Sequence, residues 1–109
     1  MVTKLFVYGT LGPGRPNEHM LSDIGGNWSD ATVTGNLHQK GWGAEMGYPG
    51  IVIAKDGKKV NGFIFSSKNL ANSWAQLDEF EGEAYERLIV EAELKNGKCV
   101  DVYVYALKI

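Results

Sequence analysis

Cysteine occurs once in this chain of 109 residues, at Cys99, so no internal disulfide can form and no cysteine cluster exists for structural zinc or an iron–sulfur centre. The two histidines, His19 and His38, sit on different segments, and no His-Glu-x-x-His spacing is present. A metal site is therefore not expected. Charge of one sign is lacking too: 11 Lys plus Arg stand against 13 Asp plus Glu, for a net charge of -2, with no polybasic tract. That balance argues against nucleic acid or an anionic membrane as a partner. No stretch approaches the roughly 18 apolar residues of a membrane span. The opening Met1-Val-Thr-Lys-Leu-Phe-Val-Tyr8 carries no cleavage-like segment, which predicts a soluble, cytoplasmic protein. The length predicts one domain spanning 1–109, since a second core would need more chain.

What is present is glycine, hydrophobic alternation and one amphipathic stripe. Leu5 to Tyr8 reads as a short buried strand ended by Gly9. The segment from Gly9 to Asn17 holds too many glycines and prolines for regular structure, and Asn17 is placed to cap a helical turn over Glu18 to Leu21. Ala31 to Leu37 alternates as a second strand. Lys40 to Gly50 reads as a loop in which Trp42 and Tyr48 supply bulk for packing or binding. Ile51 to Ala54 and Lys59 to Phe65, joined through Asp56-Gly57, predict a hairpin. Leu70, Trp74 and Leu77 form one apolar helical stripe after a cap at Ser66 or Ser67. Tyr85 to Leu94 and Lys98 to Leu107, joined by Asn96-Gly97, predict a final hairpin. Six strands with one substantial helix fit an α+β fold: a small, mixed, largely antiparallel, barrel-like sheet with flanking helices.

Chemistry concentrates in two places. Gly9, Gly12 and Gly14 lack the lysine ending of a P-loop, so they either turn the chain or bind an anion through successive N–H groups. Asp78, Glu79, Glu81 and Glu83 form an acidic cluster at a helix end, where most carboxylates would be solvated. Glu81 differs, because Leu77 and Phe80 give it apolar neighbours and Gly82 lets the backbone turn it inward. Desolvation and like-charged neighbours would raise its pKa and make it a useful base near neutrality. Arg87 either pairs with a substrate carboxylate or neutralises this cluster.

Phe6-Val-Tyr-Gly-Thr-Leu11, Gly14-Arg-Pro-Asn17, Tyr48-Pro-Gly50, Leu77-Asp-Glu-Phe-Glu-Gly82 and Tyr85-Glu-Arg87 together resemble the gamma-glutamylcyclotransferase-like, or AIG2-like, family over nearly the whole chain. The likeness is strongest to its small gamma-glutamylamine cyclotransferase branch. It implies a barrel-like mixed sheet with a cavity between the first loop and the acidic helix. The family's catalytic glutamate falls on Glu81, and its substrate-binding loop on Tyr8, Gly9, Thr10 and Leu11, whose N–H groups hold the glutamyl moiety. Its tyrosine falls on Tyr85, with Arg87 beside it as a further substrate-binding residue. Gly12 and Pro13 depart from the basic residues of many relatives, and the segment between Glu81 and Tyr85 is shorter than in the gamma-glutamylamine enzymes.

The resemblance implies intramolecular cyclisation of a gamma-glutamyl compound to 5-oxoproline. The substrate supplies its own nucleophile, so no cofactor or metal is called for. The partner expected is a small molecule with a gamma-glutamyl or similar group, and the oligomeric state is left open. The competing expectation is a non-catalytic or differently specific domain that binds an amino-acid-like molecule on the same fold.

Overall fold

The computed structural model describes residues 2–39 and 49–108, so the expected loop role of Trp42 and Tyr48 lies outside the described residues. Six strands are formed among the described residues: β1 (Lys4–Val7), β2 (Asn27–His38), β3 (Gly50–Ile53), β4 (Lys58–Ser66), β5 (Tyr85–Leu94) and β6 (Cys99–Leu107). Two α-helices, α1 (His19–Ser22) and α2 (Trp74–Glu81), accompany them, with a 3-10 turn at Lys68–Asn72. The strand order is β1-β4-β2-β3-β6-β5. Further pairing of β1 with β6, and of β2 with β5, closes the sheet on itself as a small barrel. No helix among the described residues is long and apolar enough to cross a membrane.

Alternation along each strand separates two apolar clusters. On β1, Phe6 points into one with Val33, Ile51, Ile64, Val102 and Val104, while Leu5 and Val7 point into the other. The second cluster holds Leu21 of α1, Leu70 of the 3-10 turn and Leu77 of α2, so it is the layer between sheet and helices. Both faces of β1 are thus covered, which is why Leu5 to Val7 run apolar instead of alternating.

The Asn96-Gly97 hairpin forms: the Gly97 N–H donates to the Leu94 carbonyl at 3.0 Å, with Gly97 at φ +85°. The predicted Asp56-Gly57 hairpin does not. β3 and β4 lie on opposite edges of β2, with Gly35 facing Ile53 on one side and Lys58 on the other. The connecting turn crosses the end of β2 instead. A Cβ on Gly57 would lie 2.7 Å from the Gly35 carbonyl, so two glycines let the backbones touch at the crossing.

Three further expectations are corrected. Asn17 is not the cap of α1; Glu18 occupies that position, and its carboxylate accepts from the Gly14 N–H at 2.9 Å and the Ser22 hydroxyl at 3.1 Å. β2 begins at Asn27, earlier than Ala31, because Trp28 packs on Phe65 at 4.9 Å between ring centroids despite its polar neighbours. The predicted single helix is broken at Ser73. Ser67 caps the 3-10 turn by accepting from the Asn69 N–H at 3.1 Å, and the change of winding shifts the phase of the α-helical turns after Ser73. Leu70 and Leu77 are buried as expected, but Trp74 is only half-buried.

Candidate functional site

β1 stops pairing with β6 after Phe6↔Val104, and β3 continues the same parallel arrangement at Ile51↔Ala106. Tyr8 stands where one strand gives way to the other. Its hydroxyl accepts from the Ile51 N–H at 3.0 Å and donates to the Tyr105 carbonyl at 2.7 Å, tying β3 to β6. The chain then leaves the sheet as a tight loop. The Gly12 N–H donates to the Gly9 carbonyl at 3.1 Å and the Asn17 N–H to the Thr10 carbonyl at 2.8 Å, while Thr10 and Leu11 are buried. Those carbonyls are therefore engaged within the loop itself.

Glu81 arrives from the other side. Leu77 and Glu81 stand one turn apart, so they share the buried face of α2, and Glu81 retains only 9% of its surface. The helix ends there because Gly82 adopts φ +82°, a conformation that costs glycine nothing, with its N–H on the Asp78 carbonyl at 3.1 Å. The reversal leads directly into β5, whose first residue, Tyr85, is also buried.

Loop and helix end meet in one small cavity of about 40 Å³ that opens to solvent, lined by Tyr8, Gly9, Thr10, Leu11, Glu81 and Tyr85, with Phe6, Val7, Pro49 and Tyr105. Arg87 is not among the lining residues. It extends instead to Asp78, donating from Nε to Oδ1 at 2.8 Å and from Nη2 to Oδ2 at 3.3 Å. Its guanidinium carbon lies 4.4 Å from the Trp74 ring centroid and 4.5 Å from that of Tyr103. Of the two alternatives for this residue, neutralising the acidic cluster describes the geometry.

Burial pushes the Glu81 carboxyl up to about 7. Burial is the leading cause, as the apolar setting of the helix end foretold. It also raises the phenols of Tyr8, Tyr85 and Tyr105, so the cavity wall carries neutral hydroxyl groups at physiological pH. A carboxyl that titrates near neutrality, in a mostly apolar cavity, can accept a proton and return it. Among the described residues no group of three His, Cys, Asp or Glu is placed to hold a metal ion.

Two contributors escaped the sequence reading. Tyr105 lines the cavity, and its hydroxyl donates to Asp78 Oδ1 at 2.7 Å. Asp78 itself looked like one more solvated acid. The alternation of Tyr103 and Tyr105 on the helix-facing side of β6 was the available signal for the first; nothing in the sequence marked the second.

A family model described as "Gamma-glutamyl cyclotransferase, AIG2-like" matches residues 5–109. Among solved structures, YkqA from Bacillus subtilis superposes with a TM-score of 0.75 at 24% identity, covering 100% of this chain and 37% of that one. An AIG2-like protein from Mus musculus gives 0.72 at 25% identity, over 95% of this chain and 76% of the mouse protein. A protein from Arabidopsis thaliana gives 0.68 at 28% identity, over 95% and 61%. The chain thus spans little more than a third of the Bacillus protein and under two thirds of the Arabidopsis one. No curated protein matches it significantly.

Proposed function

The chain belongs to the gamma-glutamyl cyclotransferase, AIG2-like, family, and on that premise we propose that it cyclises a gamma-glutamyl amine or gamma-glutamyl amino acid to 5-oxoproline, with Glu81 as general acid and base. The observation that carries this reading is the meeting of a buried glutamate with the loop Tyr8 to Leu11 in one cavity.

The reaction suits such a site. A gamma-glutamyl compound holds its α-amine within bonding reach of its own γ-carbonyl, so attack closes a five-membered lactam with no nucleophile from the protein. The amine is unreactive while protonated. A carboxylate at its ordinary value would be a weak base toward an ammonium group, whereas Glu81, lifted to about 7, is better matched to the transfer. The N–H groups of Gly9, Thr10 and Leu11 are the donors assigned to the negative oxygen of the tetrahedral intermediate. Collapse of that intermediate breaks the bond between the γ-carbonyl carbon and the amide nitrogen, and the ring nitrogen sheds its second proton to become the lactam N–H. Glu81 returns its proton to the departing amine, and 5-oxoproline and the free amine leave. Tyr85, a neutral phenol beside Glu81, is assigned to hold the substrate, and Arg87 acts from outside the cavity.

The test is release of 5-oxoproline from a panel of gamma-glutamyl dipeptides and gamma-glutamylamines, followed by chromatography. Turnover of at least one compound is expected. Binding of 5-oxoproline without turnover of any member would favour a binding domain and overturn the enzymatic reading.

A further inference from the structure

The contacts of Asp78 take no part in the proton transfers above, yet they tie the helix that carries Glu81 to β5 and β6. Asp78 accepts from the Tyr105 hydroxyl at 2.7 Å while paired with Arg87 at 2.8 Å. Arg87, on β5, is in turn packed between Trp74 in the first turn of α2 and Tyr103 on β6. Tyr105 is engaged at both ends. Its hydroxyl holds α2, which carries Glu81, and its backbone oxygen holds the Tyr8 hydroxyl, at the root of the loop.

Resting on the reading of Glu81 as the base, we propose that Asp78 is a positioning residue: with Arg87 it clasps Tyr105, fixes α2 against β6, and so presents Glu81 to the loop Tyr8 to Leu11 at a constant separation. Apolar packing does not do this by itself. Leu77 is buried on α2, with Trp74 and Phe80 partly buried against the same core, and apolar contacts of this kind are non-directional: they hold the helix down without fixing its rotation about its axis. The Asp78 clasp adds three directional contacts on the flank. Its energetic value to folding is small, because the Asp78 side chain is 44% exposed and ion pairs at such positions contribute little. Its geometric value is larger, since displacing a reacting group by about 1 Å can cost about 10²-fold in rate.

Among the described residues, the phenols of Tyr8 beyond β1, Tyr85 on β5 and Tyr105 on β6 lie close enough to feel the Glu81 carboxylate. All are neutral near pH 7. Because burial leads the rise of the Glu81 carboxyl, its titration follows how dry the helix keeps it, independently of any turnover.

The experiment compares wild type with Tyr105→Phe, Asp78→Ala and Asp78→Asn, following the Glu81 carboxyl carbon by NMR across pH, with kcat and KM for a cyclised substrate. Tyr105→Phe is the cleanest arm, because it removes one hydroxyl and leaves the Asp78–Arg87 pair intact. The midpoint of Glu81 is expected to fall toward the ordinary glutamate range as a loosened helix admits water, with kcat down about tenfold and KM little changed. Asp78→Ala should behave likewise. Asp78→Asn, which keeps an acceptor for the phenol, should recover part of both effects. An unchanged or raised Glu81 midpoint in Tyr105→Phe would overturn the proposal, whatever happened to thermal stability. Absence of turnover in wild type would count against the enzymatic reading alone, leaving the titration to decide this one.

Discussion

Asp78 and Glu81 are carboxylates on one helix, and their surroundings push them in opposite directions. On the outer flank, the Arg87 guanidinium and then the Tyr105 hydroxyl hold Asp78 below the usual carboxylate range. On the inner flank, burial lifts Glu81 to about 7. Asp78 is stabilised as an anion, so its contribution to folding is present above its unfolded pKa and lost as pH falls through its depressed native value. Glu81 is stabilised as the neutral acid. Its contribution is complete below its unfolded value of 4.5 and disappears as pH rises through about 7. One face of α2 thus favours folding as pH rises and the other opposes it, and the opposing face is the one turned to the cavity. Acidic composition alone cannot distinguish the two roles; the side of the helix does.

The largest effect expected from breaking this contrast is on rate. Glu81→Gln keeps size and removes the base, so cyclisation should fall by about 10²–10⁴-fold while 5-oxoproline affinity is largely kept. Single-turnover rates and ligand titration check this, with Glu79→Gln on the exposed side of the helix as the comparison that should stay near wild type.

Next comes packing beneath the two flanks. Leu77 is 1% exposed, and Leu77→Ala should cost about 2–5 kcal/mol in urea unfolding. An unchanged midpoint would mean that the inner face of α2 is not core.

The third effect is a pH-dependent gain. Glu81→Gln lacks the ionisation penalty, so its stability advantage over wild type should open as pH rises from 4.5 to 7 and level off above, at on the order of 3 kcal/mol. Denaturant melts at a series of pH values measure it, and a gap that closes toward high pH would show the sign to be wrong.

The smallest effect belongs to the outer flank. Trp74 is half-buried against Tyr103 at 4.8 Å between ring centroids and beneath Arg87, so Trp74→Ala should cost only about 1–2 kcal/mol. A loss as large as that of Leu77→Ala would erase the distinction between the two sides.

Local patterns were legible in the sequence and long-range ones were not. Tyr85 to Leu94 was readable as a strand because its alternation and the Asn96-Gly97 turn are properties of neighbouring residues. The burial of Glu81 was readable because Leu77 and Phe80 give it apolar neighbours and Gly82 lets the backbone turn it inward. The Asp56-Gly57 turn misled, since a turn signal reports that the chain reverses and not which strand fills the gap; contact between Gly57 and Gly35 decided that. Trp74 misled because a spacing count assumes one unbroken helix, and the winding changes at Ser73. Asp78 was opaque because its partners, Arg87 and Tyr105, belong to strands that only the folded barrel brings beside the helix.

The parallel contact of β1 with β6 also has a consequence in time. Tyr8 and Tyr105 lie 97 positions apart, and the bond between them cannot form until the last strand has found the first. The β5–β6 and β2–β4 pairings close shorter loops, whereas the β1–β6 pairing joins segments from opposite ends of the chain. The hollow that holds Glu81 has one wall from each of those ends. Its walls are therefore joined by contacts between the two ends of the chain, and the hollow exists only while the barrel is closed.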